Sequence, residues 1–270
     1  MSARTTILHA TAFTMDGTSY LGDLEMVEID ANIEDDDCNS AASEWGKQEE
    51  TKRTVTFRFE VMLKLGTTAA CHYTNLHLGV FSWDGSSILG DIKSATIKTS
   101  IDTDDGSGVA DFDTYVNPVG RQWTMEFNKM KATGGGTETF MTAMMAGAND
   151  ASRKKTVVFT ISDSVGGSNA ITFTAPMRIQ SLKHSLQRKK IQTWSGTLKS
   201  NGTPSSPSSG GTHLLNVAFV GDGVITLNID SGAGEYSATA LVTECECQVE
   251  DSKIIKISGT LQAQGAVTYE

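Results

Sequence analysis

The sequence predicts an all-β protein with one short helix per domain, built as two nested antiparallel β-sandwiches. Three observations carry this expectation. Thr, Ser and Val recur in short alternating runs, and 26 Gly stand against 4 Pro, the balance of many strands joined by tight turns. Long stretches of the chain repeat at a fixed spacing. Only two segments have helical periodicity, and each precedes the same kind of strand run. A chain of 270 residues is long enough for two modest domains, each with its own core.

The first element, at about 7–62, opens with Phe13-Thr14-Met15-Asp16-Gly17-Thr18-Ser19-Tyr20-Leu21-Gly22-Asp23. The run Phe81 to Asp91 repeats it without a gap at a shift of 81 − 13 = 68 residues, with Asp84-Gly85 on Asp16-Gly17. Asp-Gly between alternating residues is a hairpin turn, because both positions need positive φ. The same shift carries Ile33–Asp37 onto Ile101–Asp105 and Val55–Phe59 onto Trp123–Phe127, so a second copy spans about 75–130. Within the first copy, Val27, Ile29, Ala31 and Ile33 alternate with Met26, Glu28, Asp30 and Asn32, and Val55, Phe57, Phe59 and Val61 alternate with Thr56, Arg58, Glu60 and Met62. One apolar and one polar face mark a half-buried antiparallel sheet. Two such sheets facing each other would bury a sandwich core. Between these strands the sequence predicts long polar loops, 34–54 and 102–122. Loops of that length in a compact domain are functional arms or disordered tips.

The next element is a helix, with Thr137-Glu138-Thr139 ahead of Phe140, Met141, Met144, Met145 and Ala148 at helical spacing. A strand element follows at about 156–201. The second helix, His213 to Val220, is expected to be capped by Thr212 and stopped by Gly221. It leads into a related strand element at about 223–266. Val157–Ile161 parallels Ile225–Ile229, and Trp194-Ser195-Gly196-Thr197-Leu198 parallels Ile257-Ser258-Gly259-Thr260-Leu261. The order predicts nesting: a contiguous domain at 76–203 inserted into a discontinuous one made of 1–75 and 204–270. The Gly-Ser-Pro stretch 201–211 would be the junction. Side-by-side pairing of the repeats is the competing arrangement.

Composition excludes several functions. The net charge of −10 argues against gripping nucleic acid by neutralising phosphates, though not against letting DNA slide past. No run of about 18 apolar residues predicts a membrane helix, and Met1-Ser2-Ala3-Arg4 has no apolar leader core, so no Sec export is expected. Cys38, Cys71, Cys245 and Cys247 offer neither a CxxC pair nor a disulfide framework, and buried free thiols in a reducing compartment are expected. The 5 histidines, His9, His72, His77, His184 and His213, show no metal or catalytic spacing. GxSxG, Walker and HExxH motifs are absent from the sequence. No enzyme, catalytic residue, metal or cofactor is therefore expected. With 4 Trp and 7% aromatics, a carbohydrate-binding face is thinly supported, while a trimeric capsid decoration protein is harder to set aside.

Gly234–Thr243, the run Ile254–Ala266, the short helix leading into Val224–Leu227, and Ile191–Leu198 resemble the C-terminal strands of phage major tail tube proteins. The resemblance is one of pattern and element order over most of the chain. It implies β-sandwich domains in six-fold rings, strands lining a closed ring barrel, and a long loop bridging adjacent rings. This chain departs by being doubled, so three chains would supply six tail-tube-like domains. The candidates for the inter-ring contact are Asp36, Asp37 and Trp45 in the first loop, and Asp104, Asp105, Phe112 and Tyr115 in the second. The implied partners are further copies of the chain and tape-measure, tail-terminator and baseplate proteins. DNA would pass the lumen without specific binding, and no membrane is involved. The implied location is the virion tail, assembled in the bacterial host cytoplasm.

Overall fold

The structure, a computed structural model, describes residues 10–37, 48–63, 77–88, 92–108, 111–131, 135–146, 151–162, 170–205, 213–250 and 255–270. It is mostly β. In chain order the strands are β1 (Ala12–Met15), β2 (Thr18–Ser19), β3 (Leu24–Asp37), β4 (Gln48–Met62), β5 (His77–Trp83), β6 (Ser86–Ser87), β7 (Ser94–Asp105) and β8 (Val116–Lys131). Helix α1 (Gly135–Met145) precedes β9 (Lys154–Ser162), β10 (Ala170–Ser185) and β11 (Thr193–Ser200). Helix α2 (His213–Phe219) precedes β12 (Val224–Asp230), β13 (Glu235–Glu250), β14 (Lys256–Ala263) and β15 (Thr268–Tyr269).

The predicted Asp-Gly hairpins form. Asp16 and Gly17 have φ of 49° and 74°, and Asp84 and Gly85 have 50° and 76°, the paired left-handed conformations of a tight hairpin turn. The two polar loops are corrected. β3 runs through Asp37 and β7 through Asp105, so Asp36, Asp37, Asp104 and Asp105 lie in strands and the connections shrink to 38–47 and 106–115. These strand ends lack apolar alternation because they project past the core. The ladder of their own hairpin partners holds them, for example Asp104 opposite Asn117. The first helix starts earlier than expected: α1 begins at Gly135, ahead of the Thr137 cap, whereas α2 begins at His213 as expected.

The described strands join in one continuous antiparallel sheet, which is not closed. Strand β1 pairs with β12 and β4 with β14, whereas β5 pairs with β9 and β8 with β11. The named strands within 1–75 and 204–270 thus pair with one another, and those within 76–203 with one another, apart from the pairing of β13 with β7. Instead of one core per half, the large buried cluster takes residues from both, and a small second cluster joins Ile101 and Val116 to Leu241. The sheet folds over itself to enclose the large cluster: Phe13 of β1 packs on Phe59 of β4 with ring centroids 6.2 Å apart, and Phe81 of β5 on Phe127 of β8 at 6.3 Å. Helix α1 covers one end through Phe140, 5.2 Å from Trp83 and 5.4 Å from Phe127. Helix α2 crosses between the halves. Leu214 N–H donates to the Tyr20 phenol at 3.2 Å. Farther along α2, Phe219 packs on Trp123 and Phe173 and accepts the Trp123 indole N–H at 2.9 Å.

The strand register also revises one equivalence. Val157 pairs with Ala175 and Leu227 with Ala238, with Phe81 opposite Phe159 and Phe13 opposite Ile229. Val157–Phe159 therefore corresponds to Leu227–Ile229, two residues away from the match made by pattern. A two-residue shift leaves the inward face unchanged, so alternation alone does not detect it.

Candidate assembly surfaces

Eight strands form the broadest part of the sheet, in the order β3-β4-β14-β13-β7-β8-β11-β10. The first four belong to the outer segments of the chain and the last four to the inner one. Within each set the pattern is the same: a long hairpin, then a short strand, then a strand of 16 residues. One link joins the sets, β13 to β7, from Glu244 opposite Ser100 to Glu250 opposite Ser94.

The two faces of this sheet differ because side chains alternate. Inward lie Val55, Phe57, Phe59, Ile257, Leu261, Cys245, Cys247, Ile97, Trp123, Met125 and Leu198, all buried. Cys245 and Cys247 are free thiols, and burial pushes the Cys245 thiol up to about 12. The other face is polar and ion-paired. Glu28 meets Arg58 at 3.3 Å, Lys98 meets Glu244 at 2.9 Å, and Lys256 bonds both Glu25 and Glu60. Thr56, Thr260, Thr124 and Thr197 fill positions between the charges.

Antiparallel pairing points β3 and β7 the same way, so both hairpin ends leave from one rim of the sheet. The second hairpin end is fastened across the sheet to the first. Arg53 of β4 bonds Asp113 at 2.7 Å and sits 5.5 Å from the Phe112 ring centre. Its backbone N–H donates to Phe112 O at 2.7 Å, and Thr114 N–H donates to Arg53 O at 3.0 Å. The Lys52 ammonium bonds Asp105 and, with the Ser107 contacts, holds that carboxyl well below the usual carboxylate range. Gly265 N–H donates to Thr114 O at 3.0 Å, and a Cβ at Gly265 would lie 2.6 Å from the Tyr115 hydroxyl.

Of the residues singled out by sequence, Asp105, Phe112 and Tyr115 come together in this clamp. Phe112 and Tyr115 remain 39% and 46% exposed. Asp104 lies on the exposed end of β7, and Asp36 and Asp37 lie on the end of β3. Trp45 falls outside the described residues, as do Cys38 and Cys71. Sequence reasoning missed Lys52, Arg53, Asp113 and Thr114. Their signal was faint: two cations at a strand start and one acid in a connection 60 residues away.

Both ends of the eight-strand run are open. Strand β3 pairs with β4 alone, and beyond Arg178 strand β10 has β11 on one side and no strand on the other among the described residues. Large apolar side chains are exposed there: Met26 at 48%, Ile33 at 44% and Leu186 at 65%. Among the described residues no cluster of His, Cys, Asp and Glu could hold a metal ion, and no helix is long and apolar enough to cross a membrane. No family model matches the chain, and no curated protein matches it closely.

Proposed function

We propose that this chain is a structural subunit of a phage tail tube. In this reading it comprises two nested tail-tube-like units, 1–75 with 204–270 and 76–203. Copies join edge to edge into rings, and rings stack around a lumen through which DNA passes. The observation that carries the reading is the eight-strand run: two four-strand sets already joined side by side, with an open strand at either end. Adding further copies in the same sense is a head-to-tail operation that ends when the ring closes, which removes the free edges. Three copies would present six quasi-equivalent four-strand sets.

The polar face suits the lumen. The face mixes ion pairs with Thr-rich positions, and the chain as a whole carries −10, a balance that argues against gripping phosphates. The hairpin ends share one rim and suit contacts between stacked rings, with Asp36, Asp37, Trp45, Asp104, Asp105, Phe112 and Tyr115 as the residues involved. Tape-measure, terminator and baseplate proteins would then be the partners along and at the ends of the tube, in the virion tail.

Negative-stain electron microscopy of the concentrated pure protein, with mass measurement, tests this. Six-lobed rings containing three chains, or tubes built from them, are expected. Compact trimers that never stack would overturn the tube and favour a decoration protein.

A further inference from the structure

The link between β13 and β7 defines how one four-strand set meets the next. There Cys245 lies opposite Thr99, Glu246 opposite Lys98, and Cys247 opposite Ile97. The two open strands have the same geometry as this pair. A register shift falls between Val242 and Glu244 in β13 and between Ile179 and Ser181 in β10. Beyond it, Cys245 faces Gly259 and Leu182 faces Gly196, so Lys183 occupies the place of Glu246. On the other side, Ile97 faces Met125 while Ile29 faces Phe57, so Asp30 occupies the place of Lys98.

We infer that β10 of one copy pairs antiparallel with β3 of the next, with Lys183 opposite Asp30, and that this seam is the charge-reversed counterpart of the link inside the chain. The inference rests on the reading of the chain as a ring-forming subunit and adds which strands meet, in what register, and which charges favour it. Within the chain the acid is on β13 and the lysine on β7, and Lys98 reaches Glu244 at 2.9 Å. At the seam the lysine is on β10 and the acid on β3. Neither Lys183 nor Asp30 has a charged partner among the described residues. Within the chain β13 and β7 already pair with each other, so β3 and β10 are the edges left to meet another copy, and the opposite charges of Asp30 and Lys183 favour that meeting in this register.

The inward sides agree with this register. Ala95, Ile97 and Thr99 on β7, and Cys245 and Cys247 on β13, are at most 2% exposed. Their counterparts Val27, Ile29, Ala31, Leu182 and His184 are half-buried or exposed in the single chain. Helix α2 lies against β13 and reaches past the internal link to pack Phe219 on Trp123 of β8 and Phe173 of β10, whereas α1 ends on Met145, 85% exposed and free to cover the seam.

Full-length Asp30→Lys, Lys183→Asp and the double reversal test this. Assembly would be read by sedimentation velocity and electron microscopy, and folding by circular dichroism. Each single reversal is expected to lower the assembled fraction about tenfold per seam with unchanged folding, and the double reversal to restore it. An Asp30→Cys/Lys183→Cys chain under mild oxidation is expected to give dimers and trimers that neither single Cys variant gives. Rings that form equally in all variants, without the cross-link, overturn the seam and leave the tube reading standing. A chain that yields neither rings nor cross-link overturns both.

Discussion

Arg53 and Lys52 show how much a few polar side chains do at the hairpin rim. They tie the end of one hairpin to a strand of the other half, and the tie depends on ionised carboxylates. Asp105 is held below its ordinary range chiefly by its bond from Lys52, Glu60 chiefly by Lys256, and Asp230 chiefly by the Gly232 backbone N–H. All three have folded-state values below the unfolded ones. The unfolded chain therefore binds more protons as the pH drops below about 4–5, and stability falls with it. The contribution is fully present above the unfolded range and is lost through the lower folded values. The melting temperature should be level between pH 6 and 8 and decline below about pH 4.5. In Asp105→Asn the decline should be shallower. An acid profile unchanged by that substitution would remove Asp105 from the account. None of these pairings was legible in the sequence, where Asp104-Asp105 read as part of a long polar loop, 102–122, and as candidates for a contact between rings. Acidic residues on a protruding strand show no apolar period, and only the partner strand reveals the ladder.

At the scale of elements, the repeated Ser-Gly-Thr-Leu in β11 and β14 was visible in the sequence, but its cause was not. A Cβ at Gly196 would lie 2.6 Å from Ser181 O and 2.9 Å from the Phe127 ring, and one at Gly259 would lie 2.7 Å from both Glu244 O and the Phe59 ring. Each glycine lets a core ring pass under the sheet where the neighbouring strand shifts register. Backbone oxygens cannot swing aside as a flexible side chain would. Gly196→Ala and Gly259→Ala should each cost about 1–3 kcal/mol in denaturant unfolding. Gly22→Ala, with nothing within 4 Å of its Cβ, should stay within about 0.5 kcal/mol. Equal effects at all three sites would mean that the close approach is not what the glycines serve. Alternation identified the inward face of β4, where Val55, Phe57, Phe59 and Val61 are buried, since period-two patterning is local, while on the open strand β3 the same apolar set includes Ile33 at 44% exposure. The pairing of β13 with β7 was not readable, because no local pattern encodes which distant strand lies alongside.

Among the described residues, the outer segments of the chain join the inner one through a ladder, a helix and a clamp. Seven residue pairs connect β13 to β7, Phe219 of α2 is buried against Trp123 and Phe173, and Arg53 holds the far hairpin end. The buried cluster is continuous across this boundary. Opening either half would expose Cys245, Cys247, Ile97 and Phe219, each at most 1% exposed now, and leave a strand of the other half without its partner. The halves should therefore unfold together. Trp83, Trp123 and Trp194 lie in the inner segment and are buried, so in a Trp45→Phe chain tryptophan fluorescence reports that half, whereas far-ultraviolet circular dichroism reports both. The two signals should fall in one coincident transition, by heat or by denaturant. Separate midpoints would show that the β13–β7 link is weaker than either half. The same ladder geometry would then make a poor seam between copies, because strand pairing that fails to couple covalently tethered halves would hold free subunits together less well still.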